Sequence, residues 1–204
     1  MVIDLKTLYG AEAAEQQKRY EELSAYFAEE FGDANALSYF SAPGRTEVGG
    51  NHTDHNNGKV LAAAVNLDVI AAVKKTENGV IRLKSVGFPM DTVDTADLNV
   101  QEAEKERSAS LIRGVCARLK ALGYEVGGFD AVTTSRVLKG SGLSSSAAFE
   151  VLVVTILSHL YNDDAIDPVE AAQISKFAEN VYFGKPSGLL DQDRKSTRLN
   201  SSHP

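Results

Sequence analysis

The chain has 204 residues, 43% of them hydrophobic and 24% charged, with a formal net charge of −7 and a single cysteine. That is ample apolar material for a globular core, while the acidic balance disfavours a nucleic-acid partner, whose phosphates attract basic surfaces. The lone Cys116 offers neither an internal disulfide nor a metal cluster and reads as a small buried residue in a reducing cytoplasm.

Residues 1–4 lack the basic and apolar regions of a signal peptide. The most apolar run, residues 151–157, falls far short of the ~20 residues a membrane span needs. A cytoplasmic protein with no membrane partner is the expectation. Residues 11–31 read as a helix, with Tyr20, Leu23, Tyr26, Phe27 and Phe31 at helical spacing and Gly32 as its stop. A short strand is expected at 37–40 and a longer one within 60–74. Asn78-Gly79 marks a hairpin turn into a half-buried strand at 80–85. The acidic stretch 91–107 reads as surface loop.

Residues 108–122 form the next predicted helix, carrying Leu111, Val115, Leu119 and Leu122 on one face. A strand follows at 129–134, and a Gly/Ser loop at 140–145 opens an apolar helix running to about 160. Asp167-Pro168 supplies a cap and a first-turn proline for a helix toward Phe183, which Gly184 ends. Apolar periodicity disappears from about Asp193. Residues 193–204 resemble adapter read-through and are expected to be a non-native tail.

Chemistry concentrates in loops. Gly140-Ser141-Gly142-Leu143-Ser144-Ser145-Ser146 lies between strand and helix, where glycines admit close approach and helix-start amides favour anions. It lacks the Lys of a Walker A loop and the third glycine of the dinucleotide fingerprint. By itself such a sequence also suits an ordinary turn and cap. Residues 43–58 form a second loop, rich in donors and acceptors that suit a polyhydroxylated ligand, or else a solvated turn. Asp191, flanked by Leu189 and Leu190, should be partly buried and therefore needs a partner. Glu179, alone, reads as a solvated helix residue.

Taken together the loops carry a resemblance. Ala42-Pro-Gly-Arg45 with Gly50-Asn-His-Thr-Asp54 and Asn57-Gly58 resembles the galactokinase sugar signature. Gly140 to Ala148 resembles the phosphate loop of the GHMP kinase superfamily. Gly184-Lys-Pro-Ser-Gly188-Leu-Leu-Asp191-Gln192 resembles the galactokinase segment holding a catalytic aspartate. Order and spacing agree across residues 40–192.

This resemblance implies an α/β (α+β) N-terminal GHMP-kinase domain over 1–192, with a mixed sheet, helices and a left-handed βαβ crossover. Its parts would be a sugar signature at 42–58, a phosphate loop at 138–148 and a catalytic loop at 184–192. The second domain would be missing from this chain, so the fragment could be inactive or poorly soluble alone. The implied activity is phosphoryl transfer from ATP to the anomeric hydroxyl of a galactose-like sugar, by an enzyme that is monomeric when complete.

The resemblance also assigns roles. Gly140, Ser141, Gly142, Leu143, Ser144, Ser145 and Ser146 would hold the ATP phosphates, and Ser85 would touch the nucleotide. Ser146 and Glu179 would bind Mg²⁺ through oxygen. Asp191 would accept or orient the sugar's reacting proton. Arg45 would sit beside it, keeping the carboxylate ionised and offsetting charge on the transferring group. Asn51, His52, Thr53, Asp54 and Gly188 would line the sugar. Four departures stand out: Asn51 for glutamate, His55 for tyrosine, Ser187 for cysteine, and Thr46-Glu47-Val48 for Val-Asn-Leu. Asn51 replaces a pure acceptor at the sugar's C6 end and implies an altered preference there. The alternatives are a non-catalytic sugar and ATP sensor or another small-molecule GHMP kinase.

Overall fold

The computed structural model describes residues 4–49, 61–137, 145–185 and 200–202. Among these residues six strands form a mixed sheet: β1 (Ser38–Gly49), β2 (Leu61–Lys75), β3 (Val80–Ser85), β4 (Met90–Asp94), β5 (Phe129–Ser135) and β6 (Asn200–Ser202). Their order across the sheet is β4-β3-β5-β2-β1-β6. Helices α1 (Leu5–Tyr9) and α2 (Ala13–Phe31) lie on one face, and α3 (Ser108–Ala121), α4 (Ser145–Tyr161) and α5 (Pro168–Phe177) on the other.

Strand periodicity builds this layering. In β2, Val69, Ala71 and Val73 join the core beneath α3–α5, whereas Ile70 and Ala72 join the core beneath α2. Phe40 and Tyr39 divide in the same way in β1, as do Ala131 and Val132 in β5. A strand covered on both faces favours apolar residues at every position, which is why residues 69–73 of β2 read as a continuous apolar run. The α4 helix is apolar all round for the same reason, being buried against β1, β2 and its helical neighbours. The lone Cys116 sits wholly inside this core.

Several expectations change in the fold. Asn78-Gly79 does not close a hairpin, because β2 pairs with β5 and β3 pairs with β4 and, in parallel, with β5. The later strand inserts between the earlier two. Its approach needs Gly128, where a methyl group would fall 2.7 Å from the Val80 carbonyl and 2.7 Å from Thr76 Oγ1. The β3–α3–β5 path supplies the parallel βαβ unit of this fold.

Residues 91–107 are not simply loop: Met90–Asp94 is an edge strand, and the stretch beyond is pinned to α3. Arg113 Nε and Nη2 donate to Glu104 at 2.7 and 2.6 Å, and Nη1 donates to the Asp97 carbonyl. The strand expected at 37–40 continues through Pro43-Gly44-Arg45, where the register shifts against β2. A proline within a strand is tolerated at such an irregularity. Asn200–Ser202 add to the free edge of β1; backbone pairing at an open edge demands little of side-chain sequence.

The N-terminal helices were legible only in part. Asp4 caps α1, accepting from the Lys6 and Thr7 amides at 2.9 and 3.0 Å. Tyr9 at its end donates to Asp68 Oδ2 at 2.5 Å, where Ser41 Oγ also donates at 2.7 Å. Arg19 completes the cluster on Asp68 Oδ1 at 2.5 Å. Burial and the neighbouring Asp68 raise the Tyr9 hydroxyl well above its ordinary range.

Candidate functional site

The described part of the site gathers at one end of the sheet. Strands β3 and β5 run parallel and finish together, Ser85 opposite Thr133. Thr133 Oγ1 donates to Ser85 Oγ at 3.0 Å, fixing Ser85 at the carboxyl end of its strand. In open α/β sheets ligands gather beyond such ends. At the end of β5, Ser135 Oγ donates to the Val137 carbonyl and accepts from the Val137 amide, each at 3.0 Å, closing a tight turn just before the glycine-rich loop. Helix α4 then starts at Ser145, as the Gly/Ser pattern predicts.

The β1 strand reaches this same turn. A methyl group on Gly44 would lie 3.1 Å from Val137 Cγ2 and 3.2 Å from Val65 Cγ2. Gly44 therefore lets β1 press against the residue that leads into the glycine-rich loop. Its neighbour Arg45 is buried, at 3% exposure. Arg45, expected in a loop, lies within β1.

The second wall is a π-helical turn, Ala178–Phe183, that continues α5. Single π turns recur at functional sites because they change which face a side chain presents. Here the turn buries Glu179 to 1% exposure. Ser146 Oγ, in the first turn of α4, donates to Glu179 Oε1 at 3.1 Å. The same carboxylate oxygen lies 3.6 Å from the Lys185 ammonium. Glu179 is thus a buried, engaged carboxylate and not the solvated helix residue that its isolated sequence position suggests.

What holds the π turn is α3. At Gly114 an added methyl group would stand 2.8 Å from Ala178 Cα and 2.9 Å from Tyr182 Cγ. The Tyr182 hydroxyl donates to the Leu98 carbonyl at 2.7 Å. Burial raises its pKa. At the C-terminus of the turn, Gly184 takes φ 85°, a left-handed conformation that glycine accepts without strain.

The structure therefore brings together Ser146 and Glu179, and sets Ser85 beside Thr133 of β5 and Arg45 in β1 next to Gly44, which packs on Val137. Asn51, His52, Thr53, Asp54, Gly140, Ser141, Gly142, Leu143, Ser144, Gly188 and Asp191 lie outside the described residues. The sequence reading did not single out Lys185, Gly44 or Gly114. For Lys185 the available signal was its place directly after the helix-stopping glycine.

As to what the pair could hold, a hydroxyl and a carboxylate both offer hard oxygen donors, the carboxylate buried and the hydroxyl part-buried. That donor set suits Mg²⁺ better than a soft metal. Among the described residues, no group of three or more His, Cys, Asp or Glu side chains is placed to hold a metal.

Comparison with known proteins agrees with this geometry. Residues 110–192 match the GHMP kinases N terminal domain, and residues 25–75 match the galactokinase galactose-binding signature. Galactokinase from Lactococcus lactis subsp. lactis is 36% identical over 172 residues, covering 83% of this chain and 43% of the relative. Galactokinase from Bacillus subtilis is 34% identical over 174 residues, covering 84% and 44%.

Among solved structures, Lactococcus lactis galactokinase complexed with galactose superposes with a TM-score of 0.80 at 30% identity, covering 90% of this chain and 51% of that one. Methanococcus jannaschii mevalonate kinase shares the fold, with a TM-score of 0.67 at 17% identity, covering 82% and 53%. The fold is thus that of a GHMP-kinase N-terminal domain. Within that superfamily the chain is most like galactokinases over the part it spans. It spans less than half the length of the curated relatives it matches. Among the described residues, no helix is long and apolar enough to cross a membrane.

Proposed function

We propose that this chain forms the nucleotide- and sugar-binding part of a kinase that transfers the γ-phosphoryl group of ATP to the anomeric hydroxyl of galactose or a closely related sugar. The observation that carries this reading is the convergence of Ser146 and Glu179 at 3.1 Å on the first turn of α4, directly after the glycine–serine loop. Helix-start amides there present a positive end to phosphate. The Ser146 hydroxyl and the Glu179 carboxylate would hold Mg²⁺, which would offset the charge of the nucleotide phosphates.

The chain's own residues would do the rest. Residues 140–146 hold the triphosphate, and Ser85 borders the nucleotide from the end of β3. Arg45 offsets charge developing on the transferring group from a rigid, water-poor position, where a fixed cation is most effective. Asp191 takes or orients the proton of the anomeric hydroxyl as its oxygen bonds to the γ-phosphorus and the bond to ADP breaks. His52, Thr53, Asp54 and Gly188 line the sugar. Asn51, in place of a glutamate, faces the C6 end and resets the preference there.

The family matches support galactokinase over the alternatives: both curated relatives are galactokinases, whereas the likeness to mevalonate kinase extends to the fold alone. The test is ADP release by a galactokinase of full family length carrying this sequence. It is offered galactose, galactosamine, galacturonate and arabinose in turn. ADP release that depends on a galactose-related sugar supports the reading. ATP turnover indifferent to all of them defeats it. Asn51→Glu is expected to reorder the panel, and an unchanged ranking removes the C6 assignment.

A further inference from the structure

The Lys185 ammonium lies 3.6 Å from Glu179 Oε1, the carboxylate oxygen that also accepts from Ser146. The two partners differ sharply in exposure: the Glu179 side chain is 1% exposed and the Lys185 side chain 63%. Their backbones are tied as well. The amides of Gly184 and Lys185 both donate to the Glu179 carbonyl, the latter at 3.1 Å. Lys185 is thus locked to Glu179 by a helix cap, whatever its side chain does. The stem of Lys105 lies across the same cap, its Cε 2.9 Å from where a methyl group on Gly184 would stand.

We propose that Lys185 is a counter-ion built into the metal site: its ammonium holds Glu179 in the absence of metal and turns outward when a divalent cation enters together with nucleotide phosphates. The proposal rests on the metal assignment to Ser146 and Glu179 made above. A buried carboxylate is costly without a compensating cation or donors. A lysine and a divalent ion compete for one oxygen, because a unit charge a few ångströms away opposes the ion strongly where water screens little. A metal arriving alone must displace the ammonium without compensation. A metal arriving with a triphosphate brings negative charge to which a long, mostly exposed lysine can swing. Metal binding then becomes conditional on nucleotide.

The test uses the 204-residue chain and Mn²⁺ alone as probe, with free Mn²⁺ read by electron paramagnetic resonance. Lys185→Gln is expected to bind Mn²⁺ about tenfold more tightly than wild type, through loss of a nearby opposing charge. Lys185→Arg should match wild type, and Glu179→Gln should abolish the binding in either background. Added ATP should erase the advantage of Lys185→Gln. Affinity unchanged or lowered by Lys185→Gln, at a site that still depends on Glu179, overturns the proposal and leaves the metal assignment standing. Mn²⁺ binding indifferent to Glu179→Gln overturns both. Because its cap is made by backbone and the charge is kept, Lys185→Arg should melt with wild type, whereas Lys185→Gln should melt lower without metal, Glu179 then lacking its cation.

Discussion

Individual side chains here divide into those whose roles are local and those whose roles are set by distant neighbours. Arg45 belongs to the second kind: it is buried in β1, beside a Gly44 packed closely on Val137 at the end of the β5 segment. Arg45→Lys in a full-length enzyme carrying this sequence should lower kcat by about a hundredfold or more, the scale of losing one preorganised charge-stabilising donor. Steady-state kinetics would check this, and a change confined to KM would show that Arg45 only binds substrate. Cys116 is the opposite case, a thiol with no access to solvent whose pKa burial pushes up to about 12. A neutral, enclosed thiol is a poor nucleophile. The folded chain should therefore react with Ellman's reagent at pH 8 orders of magnitude more slowly than the denatured chain.

At the scale of elements, the sequence carried what depends on neighbours along the chain. The α2 stripe, the stop at Gly32, the Asp167 cap and the first turn of α4 are all visible as local signals, and all appear in the fold. Sequence could not show that β5 would insert between β2 and β3, because the signal at Asn78-Gly79 reports a turn but not which strands will pair. Nor could it show that Asp68, a charge inside an apolar strand, gathers Tyr9, Ser41 and Arg19 from three other segments. Glu179 was misread in isolation for the same reason: its burial comes from the π turn and from α3, far off in sequence. Gly114 is where that dependence can be tested. Gly114→Ala must push α3 from Ala178, at a cost of about 1–3 kcal/mol for overpacking. It should lower the melting temperature and weaken Glu179-dependent Mn²⁺ binding together. A lower melting temperature with intact Mn²⁺ binding would mean that α3 does not position the site.

For the molecule as a whole, the sheet is a shared floor for a stabilising layer and a functional layer. The α1–α2 side is fastened through tyrosine hydroxyls and Asp68, and the α3–α5 side carries Ser146 and Glu179. On the α3–α5 side tyrosine hydroxyls bond the backbone. Tyr161 donates to the Gly128 carbonyl at 2.5 Å, and burial pushes its pKa up to about 12. Tyr9 is raised further and Cys116 also to about 12. Each of these acids ionises in the unfolded chain near its ordinary value, 9.0 for the thiol and 10.0 for the phenols, but stays protonated longer in the fold. Folded values above unfolded ones mean that this stabilisation is complete below pH 9 and is lost as pH rises toward 12. Melting temperatures between pH 8 and 11.5 should fall from about pH 9 onward, and a flat profile would contradict the burial of these groups.

The function is tested most directly by ³¹P NMR of the full-length enzyme mixed with Mg²⁺, ATP and galactose. The account predicts resonances of ADP and a sugar 1-phosphate from wild type, and neither product from folded Arg45→Ala or Asp191→Asn. Phosphate on another hydroxyl, or turnover that survives both substitutions, would contradict it.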